Sequence, residues 1–92
     1  MERTTLVDKQ TVPLLELGAG QHGAVVNLHG GHGFIGRMAA LGFTPGAVLR
    51  VVRNPGSGPI IVSIRDTQIA LGRGQAAHVL VRPVQSDTGV DI

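Results

Sequence analysis

No cysteine occurs anywhere in this chain, and that absence narrows its options more than any motif does. A disulfide staple, a thiolate zinc site and a cysteine nucleophile are excluded together. Stability must then come from apolar packing. The 92 residues make one domain rather than two. A chain of this size buries only about 60–65% of its unfolded surface, so the core has to be compact and continuous. The hydrophobic content of 42% is adequate for that. Valine, isoleucine and leucine supply most of it, with Phe34 and Phe43 as the only aromatics. Such β-branched weighting favours strands.

The sequence pI of about 10.5 overstates the basic character. Net charge is only +2, and Lys9 is the single lysine. With no cysteine or tyrosine, few groups titrate between neutrality and the arginine range, so the pI drifts upward. A modest excess of arginine is not a footprint for nucleic acid. No apolar run approaches the ~20 residues that cross a bilayer, and Met1 to Thr5 lacks the apolar stretch of a secretion signal. The expectation is a cytoplasmic protein with no direct insertion into the membrane.

The punctuation of the chain predicts its elements. Residues 1–10 and 85–92 are polar and aperiodic and are expected to be mobile tails, leaving 11–84 as the folded unit. Pro13 forces Val12 to Leu15 to an edge or a strand start. His22 to Leu28 reads as a strand, with Ala24, Val26 and Leu28 on one face and Val25 on the other. Phe34, Met38 and Leu41 recur at helical spacing, which predicts a helix over about 33–42. Gly42 is placed as its C′ residue, with Phe43 folding back on the last turn. Pro45 and Gly46 suit the centre of a type II turn.

Val48 to Asn54 and Ile60 to Arg65 flank a Pro/Gly loop as two strands, and Asp66-Thr67 reads as the next turn. A short strand at Ile69 to Leu71 follows, then a helical turn over about 72–77. His78 to Arg82 is a closing strand stopped by Pro83. Five to six short strands with one short α-helix describe a mainly β fold, a small barrel whose closure would remove exposed edges.

Two blocks carry a family resemblance. The first is Arg37-Met38-Ala39-Ala40-Leu41-Gly42-Phe43-Thr44-Pro45-Gly46, a helix leading into Leu-Gly-apolar-x-Pro-Gly. The second is Pro59-Ile60-Ile61-Val62 followed by Ile69-Ala70-Leu71, with Ala76, Val79 and Val81 closing the pattern. In this order and spacing they resemble the FeoA family over about Leu14 to Val81. The resemblance implies an SH3-like barrel, related to the C-terminal domain of diphtheria-toxin-repressor-type regulators. Four positions depart from the family pattern. Asp66 stands where glycine is usual, Gly72 where a basic residue is usual, Gln75 where glutamate is usual, and Met38 where leucine is common.

The side chains themselves offer little chemistry. Ser57 and Ser63 have no histidine and acid arranged with them, and the scattered carboxylates form no tuned pair. Gly30-Gly31-His32-Gly33 precedes a helix but lacks the Gly-Lys-Ser/Thr ending and acidic magnesium partner of a nucleotide loop. His29 and His32 are the candidate donors for iron or zinc. A structural site needs four ligands, so ligand count favours two solvated loop histidines, and no cofactor is required. His22 and His78 read as strand residues.

Apolar residues outnumber what one barrel interior holds, and the surplus marks an interaction surface. The expected partner-binding residues are Phe34, Ile35, Arg37, Met38 and Leu41 on the helix, with Arg50 and Arg53 on the hairpin. Arginine suits bidentate contact with partner carboxylates. With the resemblance, this implies a non-enzymatic accessory protein of ferrous iron uptake that binds the cytosolic part of a FeoB-type transporter and modulates it. The alternative is a metal-responsive regulatory module acting on another protein. A homodimer is a further expectation, and localisation at the inner membrane would come only through the partner.

Overall fold

The computed structural model describes residues 10–84. The tails expected at the two ends therefore fall, but for Gln10, outside the described residues. In chain order the elements are β1 (Val12–Pro13), a 3-10 turn (Leu14–Glu16), β2 (His22–Leu28), α1 (His32–Ala40), β3 (Val48–Arg53), β4 (Ile60–Ile64), β5 (Thr67–Leu71), α2 (Arg73–Ala77) and β6 (Val79–Val84). The strands form one antiparallel sheet in the order β1-β6-β2-β3-β4-β5. Among the described residues no ladder joins β1 to β5, so closure does not remove every edge as expected. The 3-10 turn and α2 instead pack on each other.

The core follows from strand alternation. Ile60, Val62 and Ile64 turn inward on β4, as do Leu49 and Val51 on β3 and Val79 and Val81 on β6. No polar or charged side chain is buried among the described residues. Each fully buried aliphatic side chain contributes about 1.5–3 kcal/mol.

The face assignment expected for β2 is corrected. Val25 pairs with Val81 and Leu28 with Val79, yet the register against β6 shifts between Val25 and Asn27. One extra residue therefore lies between two inward positions, which is a β-bulge. Val25 is buried and Leu28 packs against the core, while Val26 is pushed outward. A second shift between Val51 and Arg53 bends β3 against β4.

Helix α1 ends through a Schellman motif. The Phe43 N–H donates to the Met38 carbonyl at 3.0 Å and the Gly42 N–H to the Ala39 carbonyl at 3.0 Å. Gly42 has φ +107°, which glycine adopts without a Cβ penalty. Phe43 and Met38 then both enter the core. Gly46, at φ +91°, completes the expected type II turn, closed by the Ala47 N–H on the Thr44 carbonyl at 2.9 Å.

Three further local expectations change. Ile64 pairs with Thr67, so the turn is Arg65-Asp66, and both residues adopt left-handed backbone at φ 52° and 65°. That is the type I′ hairpin, whose twist matches the flanking strands and overrides the cost to non-glycine residues. Pro83 does not stop β6, which continues to Val84. Strand β1 reaches only Leu80 and Val81, so at Pro83 one edge of β6 has no strand beside it among the described residues. A missing donor is tolerated at such a position. His78 lies at the C-cap of α2 rather than in the strand.

Asp66→Gly relieves one of the two left-handed positions. The expected result is a gain of about 0.5 kcal/mol, seen as a melting temperature a few degrees higher by circular dichroism. A lower melting temperature would mean that the aspartate side chain stabilises the turn by more than the strain.

Candidate docking surface

The seven residues expected to bind a partner do not share one environment. Met38 is corrected: it is only 1% exposed and belongs to the core, because the Schellman ending turns it inward beside Phe43. Phe34 is half-buried against the core, its ring edge-to-face with His78 at a centroid separation of 6.1 Å and 88° between planes. Ile35 is half-buried, and Arg37, Leu41, Arg50 and Arg53 are exposed.

Register decides what Arg50 and Arg53 stand beside. Arg50 lies opposite His22 on one side and Ser63 on the other, and Arg53 lies opposite Ile61. Paired residues share a face, so these arginines line the outer surface of the sheet. Val48, one position along that face, is 54% exposed, and Ala24 lies opposite it. Leu41 at the end of α1 is 43% exposed and Val26 at the bulge 38%. The outer sheet face thus sets the exposed aliphatic Val48 alongside the guanidinium groups of Arg50 and Arg53. Val26 and Val48 were missed individually by sequence reasoning, although the surplus of apolar residues on both faces of these strands was a signal.

Arg37 sits in the last turn of α1, where a cation also favours the helix dipole by about 0.3–1 kcal/mol. Part of its role is local. Gln75 is local too: its Oε1 accepts the Gly72 N–H at 3.0 Å, holding the start of α2. An amide performs this capping as a carboxylate would, so the departure at Gln75 keeps the cap without the charge.

The histidines do not converge. His29 and His32 are exposed, and the His29 N–H donates to the His78 carbonyl at 2.9 Å. Among the described residues no three His, Asp or Glu side chains come close enough to hold a metal ion. No helix among them is long and apolar enough to cross a membrane.

This architecture is the small SH3-like barrel, the fold also seen in the zinc-complexed FeoA of Stenotrophomonas maltophilia, a prokaryotic SH3 domain protein. That structure superposes with a TM-score of 0.66 at 28% identity, covering 78% of this chain and 88% of that one. The model of the FeoA domain matches residues 12–83, and the chain belongs to the FeoA family. A crystal structure of an iron uptake regulatory protein (FeoA) superposes with a TM-score of 0.77 at 41% identity, covering 82% of this chain and all of that one. A Methanocaldococcus jannaschii protein named for Fe(2+) transport (protein A) is 33% identical over 73 residues, which are 79% of this chain and 88% of that one. A manganese-dependent transcriptional repressor shares the fold alone, with a TM-score of 0.71 at 24% identity over 80% of this chain and 42% of that one.

Proposed function

We propose that this protein is a non-enzymatic accessory component of ferrous iron transport, which docks on the cytosolic part of a FeoB-type transporter and modulates its assembly or nucleotide cycle. Membership of the FeoA family and the similarity to a named Fe(2+) transport protein support the transport role. The observation that carries the docking role is the outer sheet surface around Val48, Arg50 and Arg53; Arg37 and Leu41 on α1 are exposed as well. Exposed aliphatic groups interleaved with arginine are what a protein interface uses, the first for burial and the second for oriented contact with carboxylates. On this reading the protein is cytoplasmic, is recruited to the inner membrane by its partner, and needs no resident metal.

The test is a binding titration of the purified protein against the transporter's cytosolic region. Val48→Glu combined with Arg50→Glu is expected to weaken binding at least tenfold while melting is unchanged, since both side chains face solvent. Wild-type affinity in that variant would remove this surface from the reading. The metal-responsive alternative is addressed by titrating the wild-type protein with ferrous iron and zinc. Only millimolar or weaker binding is expected from the two loop histidines, and tight binding would favour the alternative.

A further inference from the structure

We propose that residues 85–92 of this chain fold back over the outer face of β6, β2 and β3 as an intramolecular cover. Register defines that face. A Cβ at Gly23 would meet the side chains of Leu17 at 3.0 Å and Val81 at 3.2 Å, so Gly23 looks into the core. Its neighbours His22 and Ala24 therefore look out. Across the sheet His22 lies between Val84 and Arg50, and Ala24 lies between Arg82 and Val48. Two arginines thus stand diagonally across β2. Ala24, at 8% exposure, is the low floor between taller neighbours. Neither described carboxylate is on these rows: Glu16 belongs to the 3-10 turn and Asp66 to the turn between β4 and β5.

The path of the chain singles out the occupant. Val84 is the last described residue, and it already lies on this face in the row of His22 and Arg50. Whatever follows is tethered at the margin of the patch, where a short link gives an effective concentration on the order of millimolar. The sequence that follows is Gln85-Ser86-Asp87-Thr88-Gly89-Val90-Asp91-Ile92, with two carboxylates, no cation and two aliphatic side chains. Strands lie about 4.8 Å apart, which puts Arg50 roughly 10 Å from Val84. An extended chain covers about 3.3 Å per residue, so Asp87 reaches Arg50 in three steps. Gly89 then suits a turn back, since glycine accepts left-handed backbone at no steric cost. That return sets Val90 over Ala24 and Val48, and Asp91 toward Arg82.

Other occupants fit less well. Residues 1–9 carry Glu2 and Asp8 against Arg3 and Lys9, and they enter through β1 at the sheet margin. A second copy applied face to face would set arginine against arginine. The cover is nonetheless modest, because exposed ion pairs each add little; it outweighs the open form by roughly three- to tenfold. A partner that needs the same arginines then binds more weakly by about that factor. This consequence rests on the docking reading above, whereas the cover itself does not.

Amide NMR spectra of the full chain and of the variant Asp87→Lys/Asp91→Lys test the cover. Differences are expected at His22, Ala24, Val48, Arg50 and Arg82, independent of protein concentration. Raised salt is expected to move the wild-type signals the same way, since exposed pairs are screened. Adding Arg50→Glu/Arg82→Glu to that variant reverses both partners and is expected to restore the wild-type signals of Ala24 and Val48, which no substitution touches. Arg50 and Arg82 are exposed, and circular dichroism checks that the fold is kept. Spectra that differ only at Val84 and its neighbours in the chain would overturn the proposal. Differences that grow with protein concentration would do the same, because they would place a second copy's segment on the face. So would a fourfold variant whose Ala24 and Val48 signals fail to return. In a second arm, Asp87→Asn/Asp91→Asn is expected to tighten binding to the transporter's cytosolic region roughly three- to tenfold. Unchanged affinity beside a cover seen by NMR would overturn the docking reading of this face and leave the cover standing.

Discussion

Phe43→Ala is expected to lower the melting temperature by roughly 15–30 °C, the largest single-residue effect in this chain. Phe43 is fully buried and is the largest of the enclosed side chains. Truncating such a ring removes its transfer free energy and leaves a cavity, together about 3–5 kcal/mol. The whole domain holds about 5–10 kcal/mol, so a large share of its stability rests on one ring. The backbone of the same residue satisfies the Met38 carbonyl, a hydrogen bond that alanine keeps. The loss therefore reports packing rather than the helix ending. Far-ultraviolet circular dichroism follows the melt, since the chain has neither tryptophan nor tyrosine. Phe43→Leu should recover most of the loss. A Phe43→Ala protein melting within a few degrees of wild type would show that the core collapses around the gap.

Asn54→Asp is expected to cost about 3 kcal/mol, at least as much as Asn54→Ala. Asn54 follows β3, and its Nδ2 donates to the carbonyls of Leu15 at 2.9 Å and Leu17 at 2.8 Å. Its Oδ1 accepts from the Arg73 guanidinium at 3.0 Å. One amide thus ties together the 3-10 turn, the Pro55–Pro59 loop and the start of α2. Alanine leaves these groups unpartnered. Aspartate keeps the contact with Arg73 and strengthens it, but sets a carboxylate oxygen against two carbonyl oxygens. Comparing the two variants by urea denaturation separates the halves of the network. If aspartate proved as stable as asparagine, the arginine contact would outweigh the two carbonyls.

Much of the fold was legible in the sequence where local geometry decides alone. Gly42 before Phe43 announced the helix ending, Pro45-Gly46 the type II turn, and the alternation from Ile60 to Ile64 an inward face. What was not legible depends on neighbours. Ala24-Val25-Val26 is apolar throughout, so nothing local says which residue the bulge expels, and the answer comes from the register against β6. Arg65 carries no turn signal of its own and enters the left-handed region because the two-residue hairpin demands it. Asn54 beside a Pro/Gly loop reads as an ordinary turn residue, while its partners lie 39 and 37 positions earlier in the chain. The candidate surface divides the same way. Helical spacing marks Phe34, Met38 and Leu41 as one stripe, but only tertiary packing sends Met38 inward and leaves Leu41 in solvent.

The position of β6 between β1 and β2 bears on how the molecule is made. Of the six described strands, the last in chain order is an interior one. The β3-β4-β5 meander can assemble from near neighbours, but β2 must wait for residues some distance along the polypeptide before its other side is paired, a loop closure that slows the search. Until β6 has been made, the nascent chain carries Val25 and its neighbours on an open flank, the kind of surface on which chaperones act.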